Sequence, residues 1–327
     1  MTRDTPTDPF LVDYIEDLRT ASNNELIYAE QVDLASLHSI RLFATKWVDN
    51  APPRRLDMII LCANVMTPAF GISKTTIDGL EEEWAVNYLA NFHLLSILSP
   101  AIRAQPPDRD VRILFSTCNS YIGAVVNLTE TERKSKSGST SFARSKLALM
   151  TFAIAFQKHL DAYTRPDKHP IQARAFIIDP GFSRTPGTRR WLTGGSLWGL
   201  LLYLLMWPVW WLVLKSPEQG AQSYLVAAME AEFSRGAGGK MVKECSERQI
   251  LRTDVRDEAV AKQLWEFSEK QIEQLEKEGA VKRALAKKEK EAAEKKEEAS
   301  PATPGPANIS AEKKQSAGSR RSRKVKG

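Results

Sequence analysis

The chain has 327 residues, of which 43% are hydrophobic and 8% aromatic. This is enough apolar material for a folded core and excludes a wholly disordered protein. The formal net charge of +6 lies in residues 301–327, which hold seven basic residues and one acidic residue, so residues 1–300 are neutral overall. A basic nucleic-acid-binding body is therefore excluded, and we expect no nucleic-acid partner. The three cysteines are far apart without metal-ligand spacing, which predicts reduced thiols and no metal site.

Helix and strand patterns alternate along the first part of the chain. Apolar residues three and four positions apart predict a helix over 11–20, and residues 26–32 have the composition of a short strand. Asp33 is then predicted to cap a helix whose apolar stripe runs over 34–47. A continuous apolar run over 57–62 predicts a strand that is covered on both faces, as in a parallel sheet.

The alternation continues to about residue 180. The sequence predicts, in order, a long helix over 80–99, a strand over 111–116, a polar loop over 127–140, an apolar helix over 142–160 and a strand over 173–178. Such alternation is typical of an α/β fold with a doubly wound, mainly parallel sheet. Ser216 and Pro217 later open a further helix.

Residues 191–214 are a hydrophobic segment of 24 residues without charge, which hold four of the chain's eight tryptophans between 198 and 211. The segment is long enough to cross a bilayer. Gly194-Gly195, Pro208 and tryptophans at several depths favour a membrane-associating hairpin or in-plane insert over a spanning helix. A buried lid or a dimer face is the third interpretation. Basic residues flank the segment and suit anionic headgroups: Arg184, Arg189, Arg190 and Lys215.

The composition predicts how the rest of the chain is divided. Residues 1–25 form an N-terminal segment, and residues 26–275, including the insert and an amphipathic helix at the end, form the α/β domain. Residues 276–300 are rich in Lys, Glu and Ala, which predicts a solvated helical extension. Residues 301–327 begin with Pro and Gly and end with basic residues, which predicts a disordered basic tail.

A series of short motifs resembles the short-chain dehydrogenase/reductase family, specifically its retinol-dehydrogenase-like branch and related fungal lipid-droplet oxidoreductases. The resemblance covers about residues 26–275, and its specificity lies in the order and spacing of the motifs. They are Val32–Leu37, Leu61–Met66, Val86–Leu89, Arg112–Thr117, Phe142–Lys146, Pro180–Thr185, Ser216–Ala221 and Leu264–Glu266. The resemblance implies a Rossmann-like sheet, NADP or NAD as cofactor, and hydride transfer between an alcohol and a carbonyl.

The resemblance also implies an active site made of an Asn, a Ser, a Tyr and a Lys. Asn87 stands at the Asn position, where the family positions a water molecule, and Lys146 stands at the Lys position. Thr117 stands at the Ser position and keeps a hydroxyl that can bind the substrate oxygen, with Ser116 or Ser120 as substitutes.

The Tyr position of the family holds Phe142 in this chain. A phenol beside an ammonium has a lowered pKa and can act as acid and base near neutral pH. Phenylalanine has no ionisable group and cannot transfer a proton. Tyr121 offers a phenol in the nearby loop, although its spacing from Lys146 does not match the family.

For the cofactor, the resemblance implies five contact positions. Asp33 matches the acid near the adenine, and Ala63 lies in the segment that braces the cofactor. Lys146 would hold the nicotinamide ribose, and Phe182 and Thr185 follow the turn that contacts the nicotinamide amide.

The glycine-rich phosphate loop of the family has no counterpart upstream of Asp33, because the first glycine of the chain is Gly71. We therefore expect the chain to begin after the family's first two strands, through a truncated start. The strand over 26–32 would then lose its usual neighbours, and the strand over 57–62 would become an exposed edge. Direct pairing of these two strands and completion of the sheet by another chain are the alternatives.

Two functions follow as expectations. The first is a membrane-associated oxidoreductase that acts on a lipophilic alcohol or carbonyl, such as a retinoid, sterol or fatty aldehyde. It would lie on the cytosolic face of the endoplasmic reticulum or on lipid droplets, bound through residues 191–214, with a homodimer as an open alternative. The second is a non-catalytic relative, which Phe142 and the missing phosphate loop favour, with a role in membrane association or partner binding.

Overall fold

The computed structural model describes residues 1–5, 7–52, 54–68, 71–124 and 138–298. They form one five-stranded sheet with helices on both faces, as the alternating pattern predicts. Four neighbouring strands are parallel and the fifth is antiparallel to the fourth. In sheet order, which is also chain order, they are β1 (Met58–Leu61), β2 (Val111–Ser116), β3 (Ala173–Asp179), β4 (Lys240–Lys243) and β5 (Ser246–Arg248).

The helices follow the predicted order closely. Those before β3 are α1 (Pro9–Ser22), α2 (Leu37–Val48), α3 (Glu82–Trp84), α4 (Ala90–Arg103) and α5 (Gly138–Asp161). A π-helical turn, Ala85–Leu89, joins α3 to α4 in one continuous helix. Those after β3 are α6 (Pro186–Leu192), α7 (Leu197–Leu205), α8 (Trp207–Val213), α9 (Pro217–Met229), α10 (Ala231–Arg235) and α11 (Glu258–Glu298).

The two faces of the sheet bury different cores, because side chains alternate along each strand. Ile113, Phe115 and Ile177 lie on one face and pack in a large cluster with residues of α2, α4, α5 and α11. Leu114 and Phe176 lie on the other face, where α9 and α10 cover them. Coverage on both faces explains why the central strands are continuous apolar runs rather than alternating ones.

The predicted strand over 26–32 is wrong. This segment runs beside the N-terminus, where Gln31 makes an isolated bridge to Thr2 and the Val32 amide donates to the Thr2 carbonyl at 2.7 Å. It does not pair with the sheet, whose outer strand is β1. Strand composition specifies a strand only where a neighbouring strand is available for pairing. The expectation that the strand over 57–62 forms an edge is confirmed, and Ile60 in it is 47% exposed.

Asp33 does not cap the helix that follows it. The cap of α2 is Ser36, whose side chain accepts from the Ser39 amide at 3.3 Å. The Asp33 carboxylate instead accepts from the Ala35 amide at 3.0 Å, which forms a local turn before the helix. Both residues are good caps, and the sequence alone does not decide between them.

One described helix, Glu82–Arg103, is long and apolar enough to cross a membrane, but 78% of its apolar window is buried inside the fold. It carries Phe92, Leu94 and Leu95 of the main core, so its hydrophobicity is explained by packing. The segment over 191–214 behaves differently. It forms the two short helices α7 and α8, of 9 and 7 residues, rather than one long helix.

The chain divides into two compact units, Met1–Gly279 and Ala280–Gly327. In the second unit, residues 280–298 are helical, as their Lys/Glu/Ala composition predicts. The predicted tail over 301–327 and most of the predicted loop over 127–140 lie outside the described residues. The last residues of that loop belong to α5, which begins at Gly138.

Candidate active site

The predicted site residues meet at the carboxyl ends of β1 and β2, which is the edge of a parallel sheet where ligands bind. The π-helical turn carries Asn87, and α5 carries Lys146. The Asn87 amide donates to the Ser145 hydroxyl at 3.2 Å, one residue before the lysine. Thr117 directly follows β2, so three of the four predicted catalytic positions converge with Phe142 of α5 at one end of the sheet.

Asn87 is fully buried and clamps the loop that follows β1. Its Oδ1 accepts from the Val65 amide at 2.8 Å, and its Nδ2 donates to the Val65 carbonyl at 2.9 Å. One turn earlier, the buried Glu83 carboxylate accepts from the Thr67 amide at 3.1 Å and from the hydroxyls of Thr67 and Ser73. The helix therefore holds this loop at two points. Sequence reasoning missed Glu83, which no motif marks.

We expect Asn87→Ala to lower the free energy of unfolding by about 2–4 kcal/mol, because it removes a fully buried side chain and both of its hydrogen bonds to the Val65 backbone. Urea denaturation measures this loss. Asn91→Ala is the matched control, since in the described part of the chain the Asn91 side chain donates only to the Asn87 carbonyl of its own helix, at 2.9 Å. Equal losses in the two variants would show that the hydrogen bonds from Asn87 to Val65 add no stability beyond that of an ordinary buried asparagine in this helix.

Lys146 is 2% exposed and has unusual surroundings for an ammonium group. Its Nζ donates to the Ser116 carbonyl at 3.1 Å and lies 5.5 Å from the centroid of the Phe142 ring. Among the described residues, no carboxylate lies within ion-pairing distance of it. Burial lowers the pKa of this lysine, and the thiols of Cys118 and Cys62 oppose that effect.

We expect Lys146→Met to stabilise the fold by about 1–4 kcal/mol at pH 7, because folding buries a charge without an anionic partner. The folded-state pKa is lowered, so the cost is present at neutral pH and disappears as the pH rises through that pKa towards the unfolded value. Chemical denaturation at neutral and alkaline pH measures both effects. Lys158→Met on the same helix is the control, since Lys158 is exposed and pairs with Glu258. A destabilised Lys146→Met would mean that the bond to Ser116 outweighs the burial of charge.

Phe142 lies one helical turn before Lys146 and is buried, with its ring turned towards the ammonium. The Phe142 ring thus occupies the place of the expected tyrosine ring but has no hydroxyl that could transfer a proton. Tyr121 is also fully buried, and its hydroxyl meets the backbone of Leu251, while burial raises its pKa. A phenol that sequence reasoning missed, Tyr224 of α9, lies with its Oη 2.5 Å from the Ser116 hydroxyl. Burial raises the pKa of Tyr224 strongly, so it keeps its proton at neutral pH.

Three hydroxyls were candidates for the substrate-binding position, and the structure separates them. The Ser116 hydroxyl is engaged by Tyr224, and the Ser120 hydroxyl lies 2.9 Å from the Cys118 thiol. The Thr117 hydroxyl is buried and has no hydrogen-bond partner among the described residues. An unpartnered buried hydroxyl is costly unless a ligand meets it, which favours Thr117.

The predicted cofactor positions are only partly brought together. Ala63 lies in the clamped loop after β1, and Phe182 is 55% exposed just after the turn at Gly181. Gly181 has a φ of +77°, which favours glycine there. Thr185 caps α6, with its side chain accepting from the Thr188 amide at 3.3 Å. The contacts of Asp33 are with Arg3 and Ala35, so the structure does not connect it with the other positions.

The described residues fit one half of a nicotinamide dinucleotide. The free Thr117 hydroxyl, the Lys146 ammonium and the exposed Phe182 suit the nicotinamide and its ribose. The pyrophosphate half requires backbone close to a helix start, usually through glycines. Gly71 is the first glycine of the chain, so the elements before it form no glycine-rich cradle.

The hydrophobic segment leaves and rejoins the fold beside this site. The Arg184 amide donates to the Lys215 carbonyl at 2.9 Å, and the Lys215 amide donates to the Phe182 carbonyl at 3.0 Å. These two bonds close a stem, and we call residues 185–214 above it the hairpin. Phe182 and Arg184 follow β3 closely, so the hairpin stands at the carboxyl end of the sheet.

The hairpin exposes an apolar surface of twelve large side chains, all in α7 and α8. Leu197, Trp198, Leu205 and Leu212 are each more than three-quarters exposed. The two helices are joined internally, because the Tyr203 ring stacks on the Trp210 ring with centroids 6.1 Å apart. At about 1.5 Å per residue neither helix reaches the ~30 Å of a bilayer core. The hairpin is therefore too short to span, and its exposed surface is far larger than that of scattered surface leucines.

Comparisons with known proteins found no matching family model. The chain is 44% identical over 278 residues to the uncharacterized oxidoreductase pbr1 of Schizosaccharomyces pombe. The alignment covers 84% of this chain and 74% of that protein. It is 32% identical over 253 residues to the polyprenol dehydrogenase of Mus musculus, which covers 77% of this chain and 70% of the relative. A crystal structure of an uncharacterized protein from Mycobacterium paratuberculosis matches with a TM-score of 0.50 at 21% identity, covering 78% of this chain and 81% of that one. This last likeness concerns the fold alone.

Proposed function

This chain belongs to the short-chain dehydrogenase/reductase family, and from that membership we propose that it is a membrane-associated, nicotinamide-dependent oxidoreductase for a lipophilic alcohol or its carbonyl counterpart. The family's enzymes are oxidoreductases that use a nicotinamide cofactor. The observation that carries the finer proposal is the stem of the hairpin. Its two hydrogen bonds tie an exposed apolar surface to the turn after β3, at the same end of the sheet as Thr117.

The position of the hairpin supports a membrane surface as partner. Its leucines and tryptophans gain about 1.5–3 kcal/mol per fully buried side chain when they leave water. Arg189 and Arg190 on α6 are exposed and have no ion pair among the described residues. Two such basic side chains next to the apolar surface suit anionic headgroups. A hairpin that does not span can enter one leaflet, so a lipid-droplet monolayer suits it as well as the cytosolic leaflet of the endoplasmic reticulum.

The substrate class follows from the same placement. A substrate that dissolves in the membrane reaches a site beside the hairpin without crossing water. The name of the mouse relative, polyprenol dehydrogenase, adds support for a long isoprenoid alcohol. A retinoid, a sterol or a fatty aldehyde has the same chemical character.

In the proposed reaction the nicotinamide supplies or accepts the hydride when it is bound. The chain's own residues have positioning roles. The Thr117 hydroxyl binds the substrate oxygen, the Lys146 ammonium holds the nicotinamide ribose, and Asn87 fixes the loop that contains Ala63. Because position 142 is a phenylalanine, these residues do not include the phenol that usually moves the proton.

Phe142 favours a second candidate, a non-catalytic relative that binds membranes or partners. The comparisons give it no support, because the relatives that match are named as oxidoreductases and dehydrogenases.

The two candidates are separated by mixing the purified chain with phosphatidylcholine vesicles that contain a long-chain alcohol. The enzyme proposal expects the chain to float with the vesicles, to melt at a higher temperature with NADP or NAD, and to form the reduced cofactor. Flotation without a thermal shift or turnover would leave the non-catalytic candidate. A failure to float would remove the membrane from both candidates.

A further inference from the structure

Three polar side chains form a row across the carboxyl ends of neighbouring strands. The register of β3 and β4 pairs Asp179 with Lys243. The register of β2 and β3 pairs Ser116 with Ile178, and the Thr117 amide donates to the Ile178 carbonyl at 2.8 Å. This bond extends the ladder by one residue and places Thr117 opposite Asp179. Paired residues of parallel strands share a face, so all three side chains lie on the α5 side of the sheet.

The middle of this row holds hydrogen-bonding atoms that have no partner in the described part of the chain. The Asp179 side chain is 1% exposed, and its Oδ1 accepts from the Gly181 amide at 2.9 Å. Its Oδ2 has no hydrogen bond among the described residues, and the neighbouring Thr117 hydroxyl is also unpartnered. Buried polar atoms at neighbouring positions of the ladder need a partner that the described residues do not supply, which is a water molecule or the polar group of a ligand.

Lys243 lies within ion-pairing distance of the Asp179 carboxylate but does not donate a hydrogen bond to its Oδ2. Its Nζ lies 3.4 Å from Oδ2, which is close enough for an ion pair, while its short hydrogen bond of 2.6 Å goes to the Asn119 side chain. The lysine thus balances the buried charge and leaves the Oδ2 lone pairs free. Sequence reasoning missed this row. Asp179 lies directly before the Pro-Gly turn, but it is not part of a motif that marks a site.

We propose that Asp179 and Thr117 together recognise the hydroxyl of an alcohol substrate, and that this site selects the alcohol over the matching ketone or aldehyde. The inference rests on the proposed function and adds to it the oxidation state of the preferred ligand. An ionised carboxylate only accepts hydrogen bonds, whereas a threonine hydroxyl both donates and accepts. An alcohol O–H can donate to Asp179 Oδ2 while its oxygen accepts from Thr117 Oγ1.

A carbonyl ligand cannot complete the row. Its oxygen has no hydrogen to donate. The partial negative charge of that oxygen is also repelled by the negative charge of the Asp179 carboxylate. Binding it leaves Oδ2 buried without a partner, and sites built to bond a hydroxyl reject analogues that lack one for this reason. No bond is made or broken in this recognition, so it can be measured without cofactor.

The test is calorimetric titration of the full chain, without cofactor and in one non-ionic detergent, with farnesol and farnesal. Menthol and menthone serve as a second pair that forms no imine with lysines. We expect each alcohol to bind at least about tenfold more tightly than its carbonyl partner. In Asp179→Asn the ratio is expected to fall to about one, because the amide still accepts from Gly181 and now also donates to a carbonyl.

Ser183→Ala is the matched control. Its hydroxyl is also buried at this end of the sheet and has no hydrogen-bond partner among the residues that the structure describes. It lies outside the row, so the ratio should stay unchanged. Equal binding of alcohol and carbonyl by the unaltered chain would overturn this inference and leave the proposed function standing, whether or not the variants fold. Binding of neither member of each pair would overturn the proposed function, and this inference with it.

Discussion

Binding to phosphatidylcholine vesicles is expected to fall about a hundredfold or more when Leu201, Leu205 and Leu212 of the hairpin are replaced by glutamate. Each of these leucines is more than half exposed in α7 or α8 and contributes about 1.5–3 kcal/mol when it enters lipid. Glutamate in the same place must remain in water. Vesicle flotation or tryptophan fluorescence measures the partition coefficient.

The chain offers a matched control with the same chemistry. Leu42, Leu225 and Leu251 are 57%, 51% and 73% exposed and lie outside the hairpin, so their replacement by glutamate should leave vesicle binding unchanged. Equal losses in the two triple variants would show that general surface hydrophobicity, and not the hairpin, attaches the protein. Adding acidic lipid should strengthen the binding of the unaltered chain, and Arg189→Gln with Arg190→Gln should remove most of that gain.

The second large effect concerns Thr117→Val, which keeps the shape of the side chain and removes its hydroxyl. We expect kcat/KM for a long-chain alcohol to fall about 10²–10³-fold, because one buried donor to the reacting oxygen is lost. Steady-state kinetics on vesicles measures the loss. Thr117→Ser should retain most of the activity, since the hydroxyl remains.

Ser120→Ala and Ser116→Ala test the alternatives for the same role. Both hydroxyls already have partners, Cys118 and Tyr224 respectively, so each variant should change kcat/KM much less than Thr117→Val. A larger loss at Ser120 than at Thr117 would reassign the hydroxyl position.

The sequence predicts β1, β2 and β3 well because their signals are local, but it does not predict β4 and β5. The apolar runs that become β2 and β3 are buried on both faces, whereas β1 is exposed at Ile60. The predicted ends of all three agree within a residue or two with the observed strands. The segment over 26–32 has similar composition but no neighbouring strand, and it pairs with Thr2 instead. Partner availability is a property of the whole fold, so local composition cannot supply it.

The candidate site shows the same division. Asn87 and Lys146 follow from the motif pattern, and the structure places both at the carboxyl ends of the strands. Asp179 and Glu83 do not follow from any motif, because their roles depend on the residues that surround them in the fold. A buried carboxylate with a free oxygen is recognised only when register, burial and neighbours are known together. Likewise, the choice of Thr117 over Ser116 as the hydroxyl that binds the substrate oxygen depends on Tyr224, which occupies the Ser116 hydroxyl from more than a hundred residues away in the chain.

If the hairpin enters lipid as we propose, the stem between Arg184 and Lys215 also changes which substrate concentration sets the reaction rate. With the hairpin in lipid, the site lies at the membrane surface and samples ligand in two dimensions rather than three. Reaction rates would then follow the mole fraction of alcohol in the membrane, and diluting the vesicles in buffer at constant composition would leave them unchanged. Adding inert lipid would slow the reaction even at a constant total amount of substrate.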